Sequence, residues 1–171
     1  MLPTALVSMA SKASLWILLG SATVGFLLPV PDGKAQAYGR WSVFRAINGT
    51  SVQYPSDLFS ISQGDQSSQD SVFTTDDGRA RLNIFEVRNE RNERPAQYLK
   101  RVFPGDRGRL DYDRVAPNFF AVSENKGARI FYRRCNFVDR SIHCIDLSYP
   151  RLEKLAWDGI VTRISLTLRP R

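Results

Sequence analysis

The residues from Gly127 to Pro150 hold both cysteines and the only histidine of the chain, and they constrain its fold more than any other stretch. Reading Asp139-Arg140 as the tip of a two-residue β-hairpin pairs Val138 with Ser141, Phe137 with Ile142, Asn136 with His143 and Cys135 with Cys144. The pair beside the tip is hydrogen-bonded and the pairs then alternate, so the cysteines fall on a non-hydrogen-bonded pair with Cα atoms about 4.5 Å apart. That lies inside the roughly 4.4–6.8 Å range that a disulfide tolerates. The same register sets Arg133 opposite Asp146, Tyr132 opposite Leu147 and Ile130 opposite Tyr149. One alignment joins two sulfurs and faces a cation with an anion, a cross-strand pair worth about 0.2–1 kcal/mol.

Whether the sulfurs bond depends on the compartment, and the N-terminus speaks to that. Lys12 precedes an apolar run from Ala13 to Val30, a Pro-Val-Pro-Asp-Gly break follows, and Ala35-Gln36-Ala37 stands before Tyr38. A cationic start, an apolar core and a small-x-small site are the parts of a secretory signal peptide cleaved between Ala37 and Tyr38. The expected organisation is a signal peptide at 1–37 and one domain at 38–171, in a periplasmic or secreted protein. The rival is a retained anchor, because the apolar run reaches about the 18-residue lower limit for a spanning helix. A membrane-tethered module would result. In an oxidising space the two cysteines form a structural disulfide. Neither Cys-x-x-Cys nor a second ligand cluster points to redox or metal chemistry.

The chain carries a formal charge of +7, and loss of Lys12, Lys34 and Asp32 with the leader lowers it to +6. A basic exported protein can meet an anionic envelope component or an acidic protein partner. Nucleic acid is not expected: Arg88, Arg91 and Arg94 alternate with Glu90 and Glu93 and form no single-sign stripe.

Along the mature chain, Tyr38 to Ile47 is an apolar lead-in, Asn48-Gly49 a turn, and Thr50–Tyr54 and Leu58–Ile61 short strands. Val72–Thr75 and Ala80–Val87 form a hairpin around Asp76-Asp77-Gly78. Pro95 opens a helix with Ala96, Leu99, Val102 and Phe103 on one side, and Pro104-Gly105 ends it. Asp106 to Arg114 reads as a charged loop, Val115 to Glu124 as a strand. After the central hairpin, a terminal helix from Pro150 presents Leu152, Leu155, Ala156, Ile160, Ile164 and Leu168 as a stripe with Trp157 at its edge. These elements predict an α+β domain: a single antiparallel sheet with the mid-chain helix and the C-terminal amphipathic helix packed on it, the disulfide beneath the latter.

No catalytic constellation is visible. His143 adjoins a disulfide cysteine and faces the same way as Ile145 and Leu147, as a buried structural histidine does. Gly-x-Ser-x-Gly, Ser-x-x-Lys, His-Glu-x-x-His and glycine-rich phosphate loops are missing. No catalytic, cofactor or metal residue is assigned. The carboxylates Asp111, Asp113, Glu90 and Glu93 keep open an alternative, a small envelope hydrolase working in a cleft on the uncovered sheet face.

The order of elements also resembles a known group. Tyr54-Pro-Ser-Asp-Leu-Phe59, the Phe73…Asp77-Gly78-Arg-Ala80 hairpin, the Pro95-Ala-Gln-Tyr-Leu99 helix, the strand to Phe131-Tyr132 and the closing helix resemble the PsbP-like fold. That group takes in an extrinsic photosystem II subunit, Ran-binding nuclear transport factors and bacterial envelope proteins of the DcrB kind. Tyr132-x-x-Cys-Asn-Phe137, Ile142-His-Cys144 and Tyr149-Pro…Trp157-Asp158 also look like stretches of uncharacterised exported bacterial proteins. The resemblance covers about Gly49 to Pro170, through residues that mark packing and turns. It implies the fold and a non-catalytic role in binding or assembly, and carries no metal-ligand residue with it. The expectation is an exported binding protein whose partner is a protein or an anionic envelope component.

Overall fold

Among residues 39–68, 70–105 and 110–170, which the computed structural model describes, the chain forms nine strands and two helices. The 1–37 leader and the Ala37–Tyr38 junction lie outside the described residues. In order come β1 (Trp41–Arg45), β2 (Ser51–Pro55), β3 (Phe59–Gln63), β4 (Asp70–Thr75), β5 (Arg81–Arg88) and α1 (Pro95–Val102). Then follow β6 (Tyr112–Ala116), β7 (Phe119–Lys126), β8 (Arg129–Val138), β9 (Ser141–Pro150), a 3-10 turn (Arg151–Glu153) and α2 (Lys154–Thr167).

The class is α+β, but two sheets replace the expected one. Seven antiparallel strands run β3-β4-β5-β9-β8-β7-β6, and β1-β2 is a separate hairpin. The lead-in is responsible: Trp41–Arg45 pairs with Ser51–Pro55 around a turn in which Gly49 takes a φ of 86°, open to glycine at no cost. The hairpin then ties to the end of the chain, where Ser51 and Arg169 exchange backbone hydrogen bonds of 2.8 Å. A second difference is β6. Its burial pattern is exposed at four of five positions, so no alternation of apolar residues betrayed a strand where a charged loop was expected.

Helices pack on both faces of the large sheet. On one, Phe44 and Val52 of the small sheet and Trp157, Ile160 and Ile164 of α2 pack on Phe73, Leu82, Ile84, Ile145 and Leu147. On the other, Tyr98 and Leu99 of α1 pack on Phe120, Ile142, Cys135 and Cys144. The helix begins as its sequence dictates. Pro95 has no N–H to orphan, Gln97 Oε1 accepts from the Arg94 N–H at 2.8 Å, and Lys100 and Arg101 sit in the last turn. Tyr98 joins Leu99 on the buried side, whereas Ala96 faces solvent.

The terminal helix keeps the second half of its expected stripe, Ile160, Ile164 and Leu168, and loses the first. Trp157, Ile160, Val161, Ile164 and Ser165 are its buried face, while Leu152 is 97% and Leu155 89% exposed. Leu152 lies in the 3-10 turn over Arg151–Glu153, outside the α-helical winding, and Leu155 stands about 140° around the helix from Ile160. Trp157 is a core residue, stacked on Tyr149 at 5.3 Å and edge-on to Phe59 at 5.9 Å.

His143 projects to the α2 side, 2% exposed, and its Nδ1 shares a 2.6 Å hydrogen bond with Thr50 Oγ1, itself fully buried. Burial pushes its pKa below the ordinary 6.5, and Glu86 pulls weakly the other way. The unfolded chain therefore takes up the proton more readily. The neutral imidazole's contribution is whole above 6.5 and is lost as the pH falls through the lower folded-state value. The urea midpoint should drop between about pH 7 and 5, and His143→Gln should remove that part of the slope. An equal slope in both chains would refute this linkage.

Candidate binding cleft

Antiparallel pairing lays side chains in rows across the sheet, and on the α1 face those rows change character in one direction. Phe85, Cys144, Cys135 and Phe120 form an apolar row. Next to it lie Asn83, Asp146, Arg133 and Val122, and beyond those Arg81, Ser148, Phe131 and Glu124. Tyr98 and Leu99 of α1 pack over the apolar row, and no residue of the helix lines the space over the polar ones. The uncovered rows form the floor of a cavity of about 420 Å³, with Phe103 and Leu110 among its lining residues.

Cys135 and Cys144 are bonded, with Cα atoms 4.1 Å apart and both residues fully buried. Their bond lies under α1, on the face opposite the terminal helix beneath which it was expected. The strand parity that carries His143 toward α2 sends its neighbour Cys144 the other way.

Arg133 and Asp146 stand opposite one another and form a two-pronged ion pair, Nε and Nη2 each donating to a carboxylate oxygen. The guanidinium carbon lies 5.5 Å from the ring centres of both Phe85 and Phe103. Burial works against the charged guanidinium, but the hydrogen bonds to Asp146 outweigh it and hold Arg133 above its ordinary pKa. Side-chain exposures of 28% and 31% leave water to screen the pair, so it contributes at most about 1 kcal/mol. Its weight is positional: it fixes a planar cation and a carboxylate at the cleft floor.

Beside Asp146, Asn83 lines the cleft, and its Oδ1 is buried without a hydrogen-bond partner among the described residues. A buried acceptor left open costs about 1–3 kcal/mol. Asn83→Leu, close in volume, should therefore raise the unfolding free energy, by up to about 1 kcal/mol in a urea titration. A loss of stability would show that the amide already has a partner. Farther out, Arg129 Nη2 donates to Ser148 Oγ at 2.9 Å, and Phe131 is 42% exposed.

The other carboxylates considered from the sequence do not gather here. Glu93 pairs with Arg101 at 2.6 Å, Asp111 Oδ2 accepts the Asn125 backbone N–H, and neither Glu90 nor Asp113 lines the cleft. Sequence reasoning missed Arg81, Asn83, Glu124, Phe103 and Phe131. The available signal was that β5, β7, β8 and β9 each turn from apolar to polar along one face, but only their mutual register brings those switches side by side. Among the described residues no group of three or more His, Cys, Asp or Glu could hold a metal ion, and no helix is long and apolar enough to cross a membrane.

No protein-family model and no curated protein matches the sequence. Among solved structures, the chain is similar to cyanobacterial PsbP (CyanoP) from Synechocystis sp. PCC 6803. That match has a TM-score of 0.57 and 10% identity, and covers 77% of this chain and 92% of the other. The fold is PsbP-like. A protein from Bacteroides thetaiotaomicron also aligns, at a TM-score of 0.49 and 12% identity over 72% of this chain and 45% of its own. At such identity the PsbP-like likeness concerns strands and helices, so Arg81, Asn83, Arg133 and Asp146 are read from this chain alone.

Proposed function

We propose that the chain is an exported, non-catalytic binding protein whose α1-side cleft takes an extended segment of another envelope protein. The observation that carries this reading is the open acceptor of Asn83, buried beside the Arg133–Asp146 pair in a cleft that Phe103 and Phe131 also line. A peptide N–H satisfies Asn83 Oδ1, the aromatic rings take an apolar side chain, and Arg81, Lys126 and Glu124 match charges of either sign. The sheet's mixture of signs suits a polypeptide better than a purely anionic polymer.

Three features favour binding over turnover. Asp146 is committed to Arg133, the Ser148 hydroxyl already accepts from Arg129, and His143 projects from the opposite face. The PsbP-like resemblance, with its binding and assembly roles, points the same way, and the disulfide with the leader-like N-terminus supports export.

The test is cross-linking and co-purification from envelope extracts, with wild type, Asn83→Leu, Phe131→Ala and the helix-surface control Lys100→Ala. A protein enriched by wild type and Lys100→Ala, and lost with both cleft variants, is the expected result. Equal recovery by every variant, or none above a mock purification, would overturn the proposal.

A further inference from the structure

On the α2 face, the sheet carries a second cavity, of about 700 Å³, and its chemistry is different. Arg114 of β6 pairs across Ala121 of β7 with Arg134 of β8, so the two arginines share one row and one face. Ala121 is a buried methyl, which leaves open space between two long cations whose backbones stand about 10 Å apart. Both guanidinium carbons converge on one ring: Arg134 lies 4.2 Å and Arg114 5.5 Å from the centre of Phe119, two residues before Ala121.

Neither arginine pairs with a carboxylate among the described residues. Arg134 is instead braced, its Nε donating to Asn136 Oδ1 at 3.0 Å while Asn136 Nδ2 donates to the Leu168 carbonyl at 3.0 Å. A third cation, Arg169, is anchored nearby through its own bonds to the Leu166 and Leu168 carbonyls. Burial, then repulsion from Arg169 and Arg114, holds Arg134 below the ordinary guanidinium pKa. The acids lining the cavity are otherwise engaged: Asp158 with Lys154 at 2.8 Å, and Asp111 with the Asn125 backbone. A half-buried cation braced among like charges, with no anion opposite it, is an incomplete ion pair.

We propose that Arg114 and Arg134, framing Phe119 and Ala121, form a binding site for a phosphate-ester group. Two guanidinium forks match the several acceptor oxygens of a tetrahedral oxyanion. Phe119 and Leu166, the latter 57% exposed, offer an apolar flank for the rest of the ligand. The same group can come from a soluble phosphomonoester or from a lipid headgroup. This site is independent of the α1-side cleft, on the other face of the sheet.

The experiment titrates the protein recovered from the envelope fraction with phenyl phosphate by calorimetry, and with vesicles of phosphatidylcholine alone or mixed with phosphatidylglycerol by co-sedimentation. The chains are wild type, Arg114→Met, Arg134→Met and Arg91→Met, the last an equal charge change in the exposed loop between β5 and α1. Saturable binding of phenyl phosphate that weakens at least about tenfold in Arg114→Met and Arg134→Met, but not in Arg91→Met, establishes a soluble-ester site. The same pattern with phosphatidylglycerol vesicles alone establishes a lipid headgroup as the source. Arg134→Met should also unfold at an equal or higher urea concentration, because a repelled cation is gone. If it fails to fold, Arg114→Met on the exposed edge strand decides the matter. Binding of neither probe, or binding weakened equally by all three substitutions, would overturn the site.

Discussion

Phe73→Ala is expected to lower the unfolding free energy by about 3–5 kcal/mol. Phe73 is fully buried on β4 of the large sheet, but its closest aromatic neighbours belong to the small one. Its ring meets Phe44 of β1 edge-on at 5.2 Å and Tyr54 of β2 at 4.7 Å. Truncation removes the transfer free energy of the ring and leaves a void that two strands from a different sheet must close, so relaxation is poor. Small domains have only about 5–15 kcal/mol in total, and the variant should be marginal at room temperature. Urea unfolding followed by tryptophan fluorescence reads the change, because Trp41 and Trp157 belong to the same core. A loss below about 1 kcal/mol would mean that the β1-β2 hairpin does not seat on Phe73.

Removing the disulfide should cost about 2.5 kcal/mol, as expected when a loop closed between neighbouring strands is freed in the unfolded chain. The double substitution Cys135→Ala/Cys144→Ala is the cleaner form of the test, since reduction alone leaves two thiols crowded against Leu99 and Phe120. Both residues are fully buried, so a thiol reagent should label the oxidised protein only after reduction and unfolding. An unchanged urea midpoint in the double variant would remove the bond from the stability of the native state. Labelling of protein collected outside the cytoplasm without prior reduction would remove the bond itself.

Much of the candidate cleft was half-legible. Arg133 and Asp146 were found because a two-residue turn and a strict two-residue period leave a hairpin one sensible register. Asn83, in the same row, and Arg81, in the next, were not, because they reach β9 through a pairing between strands more than fifty residues apart along the chain. Nothing local to β5 says which residue of β9 it will face. Arg114 was hidden for a related reason: β6 is an edge strand whose exposed residues carry no alternating apolar signal.

By itself the sequence determined what depends on near neighbours: the β8-β9 register, the pairing of Cys135 with Cys144, the start of α1 at Pro95 and the α+β order of elements. These follow from turn chemistry, strand parity and proline's missing N–H, each acting over a few residues. The tertiary structure alone decided the second sheet, the burial of Trp157 in place of Leu152 and Leu155, and the two clefts. The stripe read from the sequence ran from Leu152 and Leu155 through Ile160 and Ile164, with Trp157 at its edge. Contact with Phe59 and Tyr149 drew Trp157 into the core and left the two leucines in solvent, because apolar surface is hidden only where a distant partner exists to cover it.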